Sequence, residues 1–366
     1  MSAFTDADNA YMARAIALAE RGLYTTTPNP RVGCVIVAGG SVIGEGWHER
    51  AGLPHAEANA LADVAARGRS PRGATMYVTL EPCNHVGRTP PCADAVIAAG
   101  IGRVVVAMAD PNPAAAAGAA RLRAAGIAVD MGLLGDQARE LNVGFVSRMT
   151  RGRPWVRMKV ASSLDGRTAL STGESKWITG EAARADGHRW RARACAILTG
   201  HGTIHHDDPQ LTVRAIATSR QPRRIVIDRH AETDPSARVL ADDNVLMVTA
   251  GERNPSWSSG VPHLALPDAD GRIDLGALME ALGERGINEL HVEAGARLNG
   301  ALLDAGLVDE LLLYVAPSII GDPAHGVAEF RSGLANLSDR IELAVRDVAH
   351  VGTDLRIVAR LTKRAH

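Results

Sequence analysis

The sequence predicts an α/β protein of two domains, and three observations carry that prediction. At 366 residues the chain is longer than one hydrophobic core usually organises. Short apolar runs suited to strands alternate with segments of helical spacing up to about residue 150. Beyond "MTRGRPWVRMKV" the alternation restarts, which puts one domain at residues 1–150 and another at 151–366.

The elements follow in order. "MSAFTDADNAYMARAIALAERG" carries acids where a secretory signal has basic residues, and then reads as an amphipathic helix. "VGCVIV", "GG" and "SVIGEGWH" form a strand, a tight turn and a second strand. Next come a helix at "HAEANALADVAARG", a strand at "ATMYVTL", a helix at "PCADAVIAAG" and a strand at "RVVVAMAD". A helix around 115–125, a short strand at "GIAVD" and a helix near 135–148 complete a sheet covered by helices. In the second half, strands are expected at "WVRMKVAS", "CAILTG", "RRIVID", "VLMVTA", "ELHVEA", "ELLLYVAP" and "DLRIVARL". Helices are expected near 181–194, 274–285 and 297–305.

Composition narrows the function. Hydrophobic residues make up 46% and charged residues 22%, and no apolar run reaches the roughly 18 residues that a membrane span needs, so no membrane role is expected. The cytoplasm is the default compartment. Formal net charge is −1 and aromatic residues are 3%, neither the basic surplus nor the stacking rings of a nucleic-acid binder. Four cysteines are too few for a disulfide framework, so Cys34, Cys83, Cys92 and Cys195 are expected as thiols, some of them metal ligands.

"LEPCNHVGRTPPC" at 80–92 places two of those cysteines nine positions apart. Cys83 follows a strand end and Cys92 opens a helix, while His55 in "HAE" stands where a loop meets a helix. A His, Cys, Cys set gives Zn²⁺ three protein ligands and leaves a fourth position for water, the mark of a catalytic zinc. Glu57 lies two residues beyond His55, where a carboxylate can pass the water's proton to a leaving amine in hydrolytic deamination. Two other readings stay open: His85 completes a closed Cys₂His₂ structural site, or the thiols are simply buried. Nucleobase deaminases carry P-C-x-x-C, and the nine-residue spacing here departs from it.

Taken together, "TTTPNPRVGCVIV", "GEGWHERAGLPHAE", "YVTLEPCNHVGRTPPC", "KVASSLDGRTA", "GESKWITG", "GTIHHDDPQLTVR" and "VEAGARLNGALL" resemble the bifunctional deaminase/reductase family of riboflavin biosynthesis, from about residue 10 to about 360. The resemblance implies a cytidine-deaminase-like first domain and a dihydrofolate-reductase-like second domain. It implies zinc and NADPH as cofactors, phosphorylated pyrimidines as substrates, and a homo-oligomer, dimer or tetramer. The first substrate would be 2,5-diamino-6-(5-phosphoribosylamino)pyrimidin-4(3H)-one, deaminated with Glu57 as the proton carrier. NADPH would then reduce the ribosyl to a ribityl side chain.

The same resemblance assigns further residues. His85 and Arg88 match phosphate-holding positions, Asn29 matches a base-recognising position and His48 matches another substrate contact. In the reductase half, Ser175, Arg191, Leu211, Arg214 and Glu293 fall on substrate positions, with Lys159 and Thr179 as further candidates. Ala161, Trp177, Thr203 and Asp207 fall on cofactor positions, as does the run Gly295, Ala296, Arg297, Leu298, Asn299, Gly300 and Ala301. No G-x-G-x-x-G is present, so a Rossmann dinucleotide site is not expected. The alternatives are a nucleic-acid base deaminase fused to a reductase-like domain, and a structural zinc module.

Overall fold

The computed structural model describes residues 4–85, 91–321 and 325–362. It divides into two units, Met1–Arg151 and Gly152–His366, each with its own buried cores.

The first unit opens with α1 (Asp6–Glu20), started by a capping box in which Thr5 and Asp8 satisfy each other's backbone N–H groups. Asp8 also accepts from the Tyr77 hydroxyl at 2.7 Å and pairs with Arg103 at 2.7 Å. That carboxylate therefore fastens α1 to two strands as well as beginning it. Strands β1 (Gly33–Ala38), β2 (Ser41–Trp47), β3 (Thr75–Leu80), β4 (Arg103–Met108) and β5 (Ala128–Met131) form a sheet of order β2-β1-β3-β4-β5. β1 runs antiparallel to β2 and β3, while β3, β4 and β5 are parallel. The helices are α2 (Ala56–Ala66), α3 (Cys92–Ala98), α4 (Gly118–Ala124), α5 (Gly135–Leu141) and α6 (Val143–Arg151).

The glycines of "GEG" in β2 explain how α2 lies so close. A Cβ at Gly46 would stand 2.4 Å from Ala60 N and 2.6 Å from Ala56 O, and one at Gly44 would stand 2.6 Å from Ala60 O. Helix and strand backbones touch there, which fixes the height of the α2 N-terminus over the sheet. The single helix expected near 135–148 is two helices. Asn142 separates them, its side chain accepting from Arg31 N at 2.7 Å and donating to Arg31 O at 2.9 Å.

The second unit is built on β6 (Trp155–Ser163), α7 (Glu181–Arg193), β7 (Ala196–Gly200), α8 (His201–Asp207), β8 (Arg223–Ile227), β9 (Val245–Thr249), β10 (His263–Ala265), α9 (Leu275–Glu284), β11 (Glu289–Val292), α10 (Ala296–Asp304), β12 (Glu310–Ala316), β13 (Leu343–Val351) and β14 (Asp354–Leu361). Its nine-stranded sheet has the order β10-β9-β8-β7-β11-β6-β12-β14-β13. The strands from β10 to β12 are parallel, and β14 and β13 add an antiparallel edge. At the starting ends of β6, β11 and β12, buried Arg157 lies between Glu289 and Glu310. Arg193 also donates to Glu289 at 2.7 Å. These charges are paired and belong to the scaffold. The carboxyl ends of β6, β7 and β11 are left for ligands, as expected in sheets of this kind. α8, β10 and β13 were not expected from the sequence.

Candidate active sites

Three chain reversals bring the first site together. His55 is the N-cap residue of α2, Cys92 is the first residue of α3, and Cys83 follows β3. The Cys83 loop is held by buried Glu81, whose carboxylate accepts from Asp110 N at 3.1 Å and from Ala119 N at 2.9 Å. His55 Nδ1 lies 3.3 Å from Cys92 Sγ and 3.6 Å from Cys83 Sγ, and Cys92 N donates to Cys83 Sγ at 3.3 Å. The three donor atoms lie within 4.8 Å of one another.

Electrostatics follow from this crowding. The Cys92 S–H, then His55, hold the Cys83 thiol down to about 4, while Cys92 is pushed far up by Cys83 and by burial. The pair therefore shares one proton. His55 is raised, chiefly by Cys83. One imidazole and two thiols form a donor set that suits Zn²⁺, the thiols losing their protons as the metal binds. Among the described residues His85 is not part of this group; it is exposed, one position after Asn84. The closed Cys₂His₂ reading therefore lacks its fourth ligand.

Glu57 is buried in the first turn of α2, hydrogen-bonded to the Cys92 thiol, and burial pushes its carboxyl up to about 7. His48 lies beside the site, its ring 5.4 Å from that of His55. Its Nδ1 donates to Pro54 O at 3.1 Å, which leaves Nε2 to accept from the Asn29 amide nitrogen at 3.1 Å. Burial lowers the His48 pKa, which keeps the ring neutral and suits that tautomer. The Asn29 amide is thereby oriented, with its oxygen free of this bond. Arg88 lies outside the described residues.

The second site gathers at the carboxyl ends of β6 and β11. Glu293 follows β11 and takes a two-pronged ion pair from Arg191 of α7, with Nη2 to Oε2 at 2.8 Å. Burial alone would raise this carboxyl, but Arg191, then His291 and Lys159, hold it well below its usual range. Lys159 of β6 is lowered by burial; Glu293 raises it and Arg191 lowers it. His188, one turn before Arg191, is brought down to about 4 by burial and then by Arg191 and Arg214. Buried His291 has its Nε2 3.3 Å from the Glu293 carboxylate. Neither histidine was singled out from the sequence: a histidine in a helix or strand carries no signal until its neighbours are known.

Arg191 Nη1 donates to Thr212 O, and Arg214 Nη1 donates to Gln210 and Thr212 Oγ1. Among the described residues no carboxylate neutralises Arg214, so it is better suited than Arg191 to hold an anion. Leu211, within this loop, is buried, and Thr179 is buried just before α7. Ser175 is half-buried, whereas Trp177 is 70% exposed, with the Arg184 guanidinium 4.6 Å from its ring centre. Ala161 lies near the end of β6, half-buried Thr203 lies in α8, and Asp207 pairs with Lys176 at 2.9 Å.

Gly295 is the N-cap of α10, and a Cβ there would meet nothing within 4 Å. Its backbone faces open space at a helix start, a cradle that fits a dinucleotide pyrophosphate. Asn299 is buried and donates to Val327 O at 3.0 Å, and a Cβ at Gly300 would stand 1.9 Å from Glu329 O. These two residues pack the helix against the 327–329 segment, leaving Gly295, Ala296, Arg297 and Leu298 nearer the opening.

The chain is similar to known proteins along nearly its whole length. Residues 5–108 match the cytidine and deoxycytidylate deaminase zinc-binding region, and residues 154–356 match the RibD C-terminal domain. The chain is 47% identical to the riboflavin biosynthesis protein RibD of Escherichia coli over 362 residues, covering 95% of this chain and 98% of that protein. It is 43% identical to RibD of Haemophilus influenzae, covering 98% of each. The solved structure of Acinetobacter baumannii RibD superimposes with a TM-score of 0.91 at 42% identity, covering 98% of this chain and 99% of that one. A Thermotoga maritima structure, a diaminohydroxyphosphoribosylaminopyrimidine deaminase/5-amino-6-(5-phosphoribosylamino)uracil reductase, gives 0.89 at 35% identity over 97% and 99%.

Proposed function

Because this chain belongs to the RibD family of bifunctional deaminase/reductases in riboflavin biosynthesis, we propose that its two units divide the family's two reactions between them. Deamination belongs to residues 1–150 and reduction to residues 151–366. The convergence of His55, Cys83 and Cys92 beside buried Glu57 carries this reading.

His55, Cys83 and Cys92 would hold zinc, which would supply Lewis acidity for hydrolysis. Glu57 accepts a proton on its carboxylate and returns it to the departing amine. Asn29, its amide fixed by His48, hydrogen-bonds the pyrimidine edge. His85 and Arg88 hold the substrate phosphate. In the second unit NADPH supplies the hydride. Gly295, Ala296, Arg297 and Leu298 hold its pyrophosphate, and Ala161, Thr203, Asp207 and Trp177 line its path. Arg214 holds the phosphate of the intermediate, with Ser175, Thr179 and Leu211 beside it. Glu293 receives the sugar hydroxyls, positioned by Arg191 and Lys159.

The chain works in the cytoplasm as a homo-oligomer. No helix among the described residues is long and apolar enough to cross a membrane. The test is to incubate the purified protein with the diaminopyrimidine phosphate named for the Thermotoga relative and NADPH, following ammonia and NADPH absorbance together. Ammonia release followed by NADPH loss is expected. NADPH loss without ammonia would overturn the assignment of the first unit.

A further inference from the structure

Residues 210–214, which include Leu211 and Arg214, belong to no helix or strand, and among the described residues no backbone–backbone hydrogen bond holds them. Leu211 has a φ of 51°, in the left-handed region that residues with a side chain rarely adopt. Such a backbone keeps one shape only where its surroundings fix it. Here side chains from outside the loop do so.

Thr212 O accepts from Arg191 Nη1 at 3.1 Å, and Arg214 N donates to His188 Nδ1 at 3.3 Å. His188 and Arg191 are three positions apart in α7 and so share one helix face. Burial, Arg191 and Arg214 bring the His188 pKa to about 4, so the ring is neutral near pH 7 and Nδ1 can accept. Val213 lies between those two anchors. Its N–H donates to Gln221 Oε1 at 2.8 Å, and its carbonyl accepts from Gln221 Nε2 at 3.1 Å. One side-chain amide thus takes both backbone groups of one residue, as the facing residue of an antiparallel strand does.

Gln221 is a firm base for that clamp. It is followed by buried Pro222 and then β8, Asn244 Nδ2 donates to Pro222 O at 3.1 Å, and the preceding Arg220 donates to Ala192 O at 2.8 Å. Gln221 itself is exposed, where ordering a long polar side chain costs about as much as two hydrogen bonds return in water. The clamp therefore adds little to stability, and its effect falls on the shape of the loop. Arg214 depends on that shape. Its Nη1 donates to Gln210 Oε1 at 3.1 Å and to Thr212 Oγ1 at 3.0 Å, both within the loop, so the loop aims the guanidinium. The rest of the donor fork is left for an anion, and a fork out of place loses a two-pronged phosphate contact.

We propose that Gln221 is a positioning residue for substrate selection. By holding Val213 it sets the Arg214 guanidinium, and so makes the second unit prefer a phosphorylated pyrimidine ribonucleoside over the same compound without its phosphate. The inference rests on the reading of Arg214 as the phosphate holder and extends it to a residue that acts only through Arg214.

The test follows NADPH oxidation by the full chain with two compounds. One is 5-amino-6-(5-phosphoribosylamino)uracil, named for the Thermotoga relative, and the other is its phosphatase-treated form. Gln221→Met keeps the side-chain length and removes both hydrogen bonds. It is expected to raise KM for the phosphorylated compound about tenfold, with kcat, KM for NADPH and kcat/KM on the dephosphorylated compound unchanged. Gln221→Ala should give the same pattern, which assigns the change to the lost bonds and not to the new methionine. Arg214→Ala is expected to raise the same KM about a hundredfold. Adding Gln221→Met to it should cost nothing more, because the clamp then has no guanidinium to aim. An unchanged KM in both Gln221 variants, an equal loss on both compounds, or full additivity in the double variant would overturn the role of Gln221 while leaving that of Arg214. An unchanged KM in Arg214→Ala would instead overturn the phosphate reading itself, and this inference with it.

Discussion

At the scale of single residues, each site holds titratable groups whose protonation is set by burial and by their neighbours. Glu57 is buried beside the two thiols but contributes no atom to the donor group. Glu57→Gln keeps the size and burial and removes the proton carrier. Ammonia release is expected to fall about 10²- to 10⁴-fold, with zinc content and reductase activity unchanged. Metal analysis beside the two assays checks this, and a loss of zinc would assign Glu57 a structural role instead. In the second unit, His188 lies between Arg191 and Arg214 with its pKa brought from 6.5 to about 4. The unfolded chain therefore binds this proton more readily than the folded one, so stability is full above about 6.5 and is lost as pH falls toward about 4. The carboxyls of Glu57 and Asp110, both raised by burial, act in the opposite sense over the same window, so the difference between chains carries the test. In thermal melts the wild type is expected to lose stability relative to His188→Gln as pH falls, and parallel profiles would remove His188 from the account.

At the scale of elements, the deaminase site is a problem of height above a sheet. His55 caps α2, and α2 rests on β2 at Gly44 and Gly46 with backbone against backbone. Gly46→Ala must lift the helix or bend the strand. We expect a destabilisation of about 1–3 kcal/mol and weaker zinc retention, measured by denaturation and by metal content after dialysis. Retained zinc at undiminished stability would show that α2 can shift freely. Much at this scale was legible. The hairpin, the alternation of strands and helices, and the placing of His55, Cys83 and Cys92 at element ends follow from spacing and turn residues, and the donor atoms converge within 4.8 Å. What escaped was decided by distant contacts. Asn142 divides a helical run because it bonds Arg31, 111 residues away. β13 escaped because a bulge at Arg346 breaks its alternation and no core face selects its side chains. The Arg191–Glu293 pair joins residues 102 positions apart, and spacing within a motif cannot reveal it.

At the scale of the whole molecule, the proposed division of the two reactions rests on residues that are separable in the chain. The core of the first unit draws on residues 12–146, and those of the second on residues 156 and beyond. All three donors of the zinc group lie in the first unit, whereas Lys159, Arg191, Glu293 and Gly295 lie in the second. Removing the metal from the intact protein should therefore divide the activities cleanly. After chelation, ammonia release from the diamino substrate is expected to vanish and to return on adding zinc. NADPH oxidation with the already deaminated pyrimidine should proceed at its original rate throughout. With the diamino substrate, NADPH should be consumed only after zinc is restored, because reduction then waits on deamination. Should chelation also slow reduction of the deaminated compound, the second unit would depend on the folded, metal-bound first unit, and reduction could not be a property of residues 151–366 alone.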